Sequence, residues 1–153
     1  MLETPHVIVG AVIASKVGNP YLAIPLAFIS HFVLEKVPHW NPHLNVETVK
    51  FGKVTSQSFR LVLLDSFIAL ISGLTIASWS LPNATQALTI IGASFFAVLP
   101  DLVEAPYFFL NWKNNLIKKW IGFQKSLQVD TTPAWGLLTQ TITILTALWW
   151  LRA

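Results

Sequence analysis

Long apolar runs without a polar face, separated by short punctuated stretches, set the pattern of this chain. Five such runs predict five helical segments. The first, residues 6–17, carries small side chains at Gly10, Ala11, Ala14 and Ser15. At about 1.5 Å per residue it falls short of a hydrocarbon core of roughly 30 Å, so it reads as a short tilted span or a re-entrant helix. Gly18-Asn19-Pro20 then turns the chain, and Pro20 suits the first turn of the second segment, residues 21–36. Residues 37–58 are polar and broken by Pro38, Pro42 and Gly52, which predicts a loop with at most one surface turn. The third segment, residues 59–80, is long enough to span and stops at Leu81-Pro82-Asn83. The fourth, residues 84–110, is kinked or broken near its end by Pro100 and Pro106.

Residues 111–130 interleave Trp112, Leu116, Ile117, Trp120, Ile121 and Phe123 with Lys113, Lys118, Lys119 and Lys125, the pattern of a helix lying in a membrane interface. The fifth segment, residues 132–151, has Pro133 in its first turn and closes on Trp149-Trp150-Leu151-Arg152, an aromatic anchor with a cation. The fold class that follows is all-α: a single membrane-embedded bundle of four to five segments, the first short or re-entrant, plus one interfacial helix.

Composition strengthens this reading. Of 153 residues, 54% are hydrophobic and 11% charged, against roughly 25% charged in soluble domains. No cysteine is present, so disulfides and thiolate chemistry are excluded, and a metal would have to use His, carboxylate or amide ligands. The net charge of +3 does not indicate nucleic acid, because the cations flank apolar runs rather than forming a basic stripe. Residues 1–20 lack a charged leader and an Ala-x-Ala cleavage site and are read as part of the fold. If every segment crosses, Lys36, Lys50, Lys53, Arg60, Lys113, Lys118, Lys119 and Lys125 lie on one side, with Lys16 and Arg152 opposite. The positive-inside bias makes the first side cytoplasmic, which implies a multi-pass protein of the inner membrane.

This topology gives each acid and histidine a depth. All seven acids (Glu3, Glu35, Glu47, Asp65, Asp101, Glu104 and Asp130) fall in or just outside the cytoplasmic leaflet. His31 and Glu35 are four residues apart on one helix face, and His39 would continue the stripe if Pro38 did not intervene. Asp101 and Glu104 make a second close pair. A charge inside a bilayer costs roughly 2.5–3.5 kcal/mol, so such a cluster should face the bundle interior, paired or bound to an ion. Each piece also has a plainer role: His6 as a cap or interface residue, His31 with Glu35 as a buried pair, Asp65 paired with Arg60 or bonded across helices, Asp101 and Glu104 as a helix cap. His43 and Glu47 read as solvated, and Trp40 and Trp112 as interface anchors.

Pro5-His6 with Gly10, then Ser30-His31-Phe32-Val33-Leu34-Glu35-Lys36-Val37-Pro38-His39, and later Leu99-Pro100-Asp101, together resemble the small bacterial membrane-bound metal-dependent hydrolases over about two thirds of the chain. The resemblance implies metal contacts at His6, His31, Glu35, His39 and Asp101. It is partial. That family follows Leu-Pro-Asp with another Asp and a His, where this chain has Val103 and Glu104, and carries a later His-Arg-Gly-x-Thr-His-Ser element that is absent here. Phe123-Gln124-Lys125-Ser126-Leu127-Gln128 takes its place and offers amides instead of imidazoles.

The expectation is a membrane-embedded hydrolase using a divalent metal, zinc first and manganese or magnesium as alternatives, with Glu104 or Asp65 as proton acceptor. Its substrate would be a lipid or lipid-phosphate ester reached from the cytoplasmic side, with membrane lipids as partners. A proton- or cation-coupled transporter and a non-catalytic assembly protein are the rival readings. No Gly-x-Ser-x-Gly, phosphate loop or dinucleotide fingerprint occurs.

Overall fold

Small polar residues decide where several helices begin. Asn19, Thr55, Asn83 and Asn114 each turn a side-chain oxygen onto an amide of the following turn, satisfying a donor that has no partner within the helix. The computed structural model describes residues 1–153 and contains eight helices and no strand: α1 (Glu3–Val17), α2 (Pro20–Leu34), α3 (Leu44–Phe51), α4 (Ser56–Ser78), α5 (Ala84–Leu102), α6 (Ala105–Phe109), α7 (Asn115–Leu127) and α8 (Pro133–Arg152). Three of them, α4, α5 and α8, are long and apolar enough to cross a membrane. α2 is apolar but has 15 residues, about 22 Å of helix.

Packing is inverted relative to a water-soluble bundle. The interior is built largely from alanine: Ala11, Ala14, Ala23, Ala27, Ala93 and Ala97 are wholly buried. The large apolar side chains point outward, among them Leu63, Phe67 and Leu70 on α4 and Leu138, Ile142 and Leu145 on α8. Small residues inside let helix backbones approach closely, while large residues outside suit a hydrocarbon solvent. α1 is the axis of this arrangement, packed against α2, α4, α5 and α8. Gly10 shows how closely: a Cβ there would stand 2.8 Å from Ala97 Cβ and 2.9 Å from the Ala93 carbonyl oxygen.

Several boundaries differ from those the sequence pattern predicts. Residues 37–58 are not merely a loop, because α3 forms there; Glu47 ties it to α4 by accepting from Thr55 N (2.8 Å) and Ser58 Oγ (2.6 Å). Glu47 is therefore half-buried and bonded, not solvated. α4 starts three residues before the expected position because Thr55 caps it. The fourth segment does not run to residue 110: Pro100 is accommodated within α5, which stops at Leu102, and Pro106 opens the separate five-residue α6. The interfacial segment is helical only over α7.

The start of α1, the ends of α2 and α5 and the inward face of α7 meet at one end of the bundle, where all the site residues described below lie. At the other end Ser15, Trp79 and Arg152 share a second cavity, and Gln86 Nε2 donates to the Ala14 carbonyl.

Candidate metal centre

A proline-terminated helix prepares this site. Because α5 ends two residues after Pro100, the Pro100 carbonyl has no amide from the next turn, and Glu104 N bonds to Asp101 O instead. Two side chains of α7 satisfy the Pro100 oxygen: Trp120 Nε1 at 3.0 Å and Gln124 Nε2 at 3.2 Å. That attachment turns the face carrying Ile121 and Gln124 inward, while Leu116 and Phe123 remain exposed.

His6, His31, Glu35 and His39 are almost completely buried, between 0% and 1% exposed. His6 and His31 stack with ring centroids 4.2 Å apart. His6 Nε2 lies 3.3 Å from Glu35 Oε1, which the Met1 amino group also meets, and His39 Nε2 lies 3.7 Å from Glu35 Oε2. His31 Nε2 is 3.8 Å from Asp101 Oδ1. Ligand atoms of His6, His31 and Asp101 all fall within 4.8 Å of one another. Thus the structure brings His6, His31, Glu35, His39 and Asp101 to one place.

His39 reaches it although α2 ends at Leu34. The segment after α2 is laced to the one before α8: Val129 N donates to Glu35 O, His39 N to Val129 O and Thr131 N to His39 O. α8 holds the same segment from the other side, as Gln140 Nε2 donates to Trp40 O and Thr139 Oγ1 to Pro38 O. Gly136 is required there, since a Cβ would sit 2.8 Å from His39 C. Trp40 is consequently a packing residue against α8 as much as an interface residue.

Hydrogen bonding reveals which lone pairs are free. His39 Nδ1 donates to Val37 O at 2.8 Å, and His31 Nδ1 donates to Ala97 O at 2.9 Å, so in the neutral rings Nε2 is the lone-pair atom facing the carboxylates. Burial pulls the His39 imidazole below its ordinary value, which keeps that lone pair available at neutral pH. His39 Nε2, Glu35 Oε2 and His6 Nδ1 are buried without any hydrogen-bond partner. A carboxylate oxygen and an imidazole lone pair 3.7 Å apart with no proton between them repel; a cation bound at about 2.1 Å by both would relieve this. Backbone carbonyls holding the far nitrogens of His31 and His39 are the usual outer support of histidine ligands. The residues present therefore fit a divalent metal.

The two expected proton acceptors are placed differently. Asp65 accepts from Glu3 N at 2.5 Å and from Thr4 N and Thr4 Oγ1, so it caps the start of α1 from a neighbouring helix and pairs with no arginine. Glu104 accepts from Gln124 Nε2 at 2.7 Å, and burial pushes its carboxyl up to about 8 against the opposing effect of that bond. Both line a cavity of about 210 Å³ together with Glu3, Asp101, Gln124 and Lys125. Gln124, 2% exposed, bonded to Asp101 and Glu104 and with its Oε1 2.8 Å from His31 Nε2, is the residue that the sequence pattern names only as an amide in passing.

No protein-family profile, curated protein or solved structure matches this chain.

Proposed function

We propose that the chain is a membrane-embedded, metal-dependent hydrolase acting on a lipid or lipid-phosphate ester from the cytoplasmic side of the inner membrane. The observation that carries this reading is the gathering of buried, unpartnered lone pairs from His39, Glu35 and His6 near His31 and Asp101, the last of which also lines a cavity in one end of an apolar bundle. α4, α5 and α8 serve as spans and the α1–α2 hairpin completes a bundle of four to five segments, as in the membrane-bound metal-dependent hydrolases that the motifs resemble. His6, His31, Glu35, His39 and Asp101 hold the ion, whether zinc, manganese or magnesium, which supplies Lewis acidity and an activated water. Glu104 exchanges the proton, its raised carboxyl value lying close to working pH. Lys125, the cation lining the cavity, meets an anionic head group, and Val62, Phe108 and Phe109 flank the same space for an acyl chain.

A cation path through the bundle is less well supported, because the core toward the far end is alanine, isoleucine and valine without a charged side chain. Elemental analysis of detergent-purified protein, before and after chelation, tests the reading. Glu35→Ala and Asp101→Ala should each lose both metal and turnover of lipid phosphoesters; undiminished metal in either variant would count decisively against it.

A further inference from the structure

Gln124 makes one contact that hydrogen bonding alone does not explain. Its Nε2 donates to Pro100 O, Asp101 Oδ1 (3.1 Å) and Glu104 Oε1 (2.7 Å), and these three acceptors decide which end of the amide is nitrogen. Oε1 must then face His31 Nε2, at 2.8 Å. But His31 Nδ1 is committed as a donor to the Ala97 carbonyl, so Nε2 of the neutral ring carries a lone pair. Two acceptors at that separation require a positive species between or beside them.

A proton on His31 is one solution. It would place an imidazolium with no exposure in a stack with His6. A cation beside His31 answers the facing acceptors without an imidazolium, since donors bound to one ion at about 2.1 Å lie roughly 3 Å apart, and His6 and Asp101 are the residues whose ligand atoms come within 4.8 Å of those of His31. We propose that Gln124 is itself a ligand of the ion, through Oε1, beside His31 and Asp101. An amide carbonyl is a harder donor than imidazole, so Gln124 biases the site toward manganese(II) over zinc(II). This rests on the metal-site reading above and extends it to a residue and a preference.

The test uses the full chain in detergent with manganese(II), zinc(II) and cobalt(II) as probes. Manganese affinity is read from the resonance of the free ion, and coordination from the visible absorption of bound cobalt. Gln124→Ala should weaken manganese binding by more than about a hundredfold, beyond the roughly 10- to 100-fold that losing an outer-shell partner costs. Gln124→Glu keeps an oxygen ligand while abolishing the three donated bonds, and should bind manganese at least as well as the parent. Gln124→His should shift preference to zinc and intensify the cobalt absorption as the shell contracts. If Gln124→Ala fails to fold, the other two variants decide. Parental protein that binds none of the three ions removes the metal-site reading and this inference together. Parental binding with unchanged affinity and cobalt spectrum in Gln124→Ala, or Gln124→Glu losing the ion, overturns Gln124 ligation alone.

Discussion

Single side chains in this protein divide into those with free lone pairs and those whose capacity is filled, and the distinction predicts different mutant behaviour. Asp65 is filled: both oxygens serve the first amides and the threonine hydroxyl of α1. Asp65→Asn should therefore cost stability of about 1 kcal/mol, as the loss of a cap does, while metal content stays at the parental level. Loss of metal in that variant would place Asp65 at the ion and not in the cap. Glu47 is filled as well. Its burial alone would raise the carboxyl, but the bonds from Ser58 and Thr55 win and hold it below its ordinary value of 4.5. A depressed folded value means that the stabilisation is present above 4.5 and is lost as pH falls through the lower folded value. Protection of the α3 amides against hydrogen exchange should be lost as the pH falls below the ordinary carboxylate value of 4.5 in the parent, whereas Glu47→Gln should show weak protection already at pH 7. Of these residues, Asp101 and the His31–Glu35 pair are legible from sequence because charge at membrane depth demands a partner. Asp65 as a cap and Glu47 as a clasp are not legible, since each acts on an amide far from its own segment.

At the level of helices, close approach is the controlling quantity. α1 touches α5 at Gly10, where a side chain would collide with backbone and not merely with a flexible tip. Gly10→Val should destabilise by about 3 kcal/mol or more and should also loosen His6, one turn away, so reduced thermal stability and reduced metal affinity are expected together. Melting with and without added metal measures both. The long helices α4, α5 and α8 were readable from apolar run length, whereas α3, α6 and the capping roles of Asn19 and Asn83 were not. The stop at Leu102 was not, because proline at 100 is compatible with either a kink or an end, and only the capping of the freed carbonyl by α7 shows how the end is used. For the same reason the inward role of Gln124 was hidden in a helix whose outer stripe reads as interfacial.

Across the whole molecule, charge is sorted by sign and by depth. Every ion pair within 4.0 Å involves a histidine or the Met1 amino group; none of the ten lysines and arginines pairs with an acid. The acids of the centre point inward and the lysines and arginines outward. Absence of cysteine makes the arrangement easy to check. Cysteines placed singly at Lys53 and Lys118 should react with an impermeant thiol reagent from the cytoplasmic side, and one at Asn83 from the opposite side; labelling of all three from one side would refute the crossing pattern. The lacing of His39 between residues 129–131 and α8 has a mechanical corollary. A long apolar rod that tilts to match its surroundings carries His39 with it, so bilayer thickness becomes a variable of the candidate centre. Metal affinity measured in vesicles of short- and long-chain lipids should differ, and Gly136→Ala, which wedges that joint open, should erase the difference.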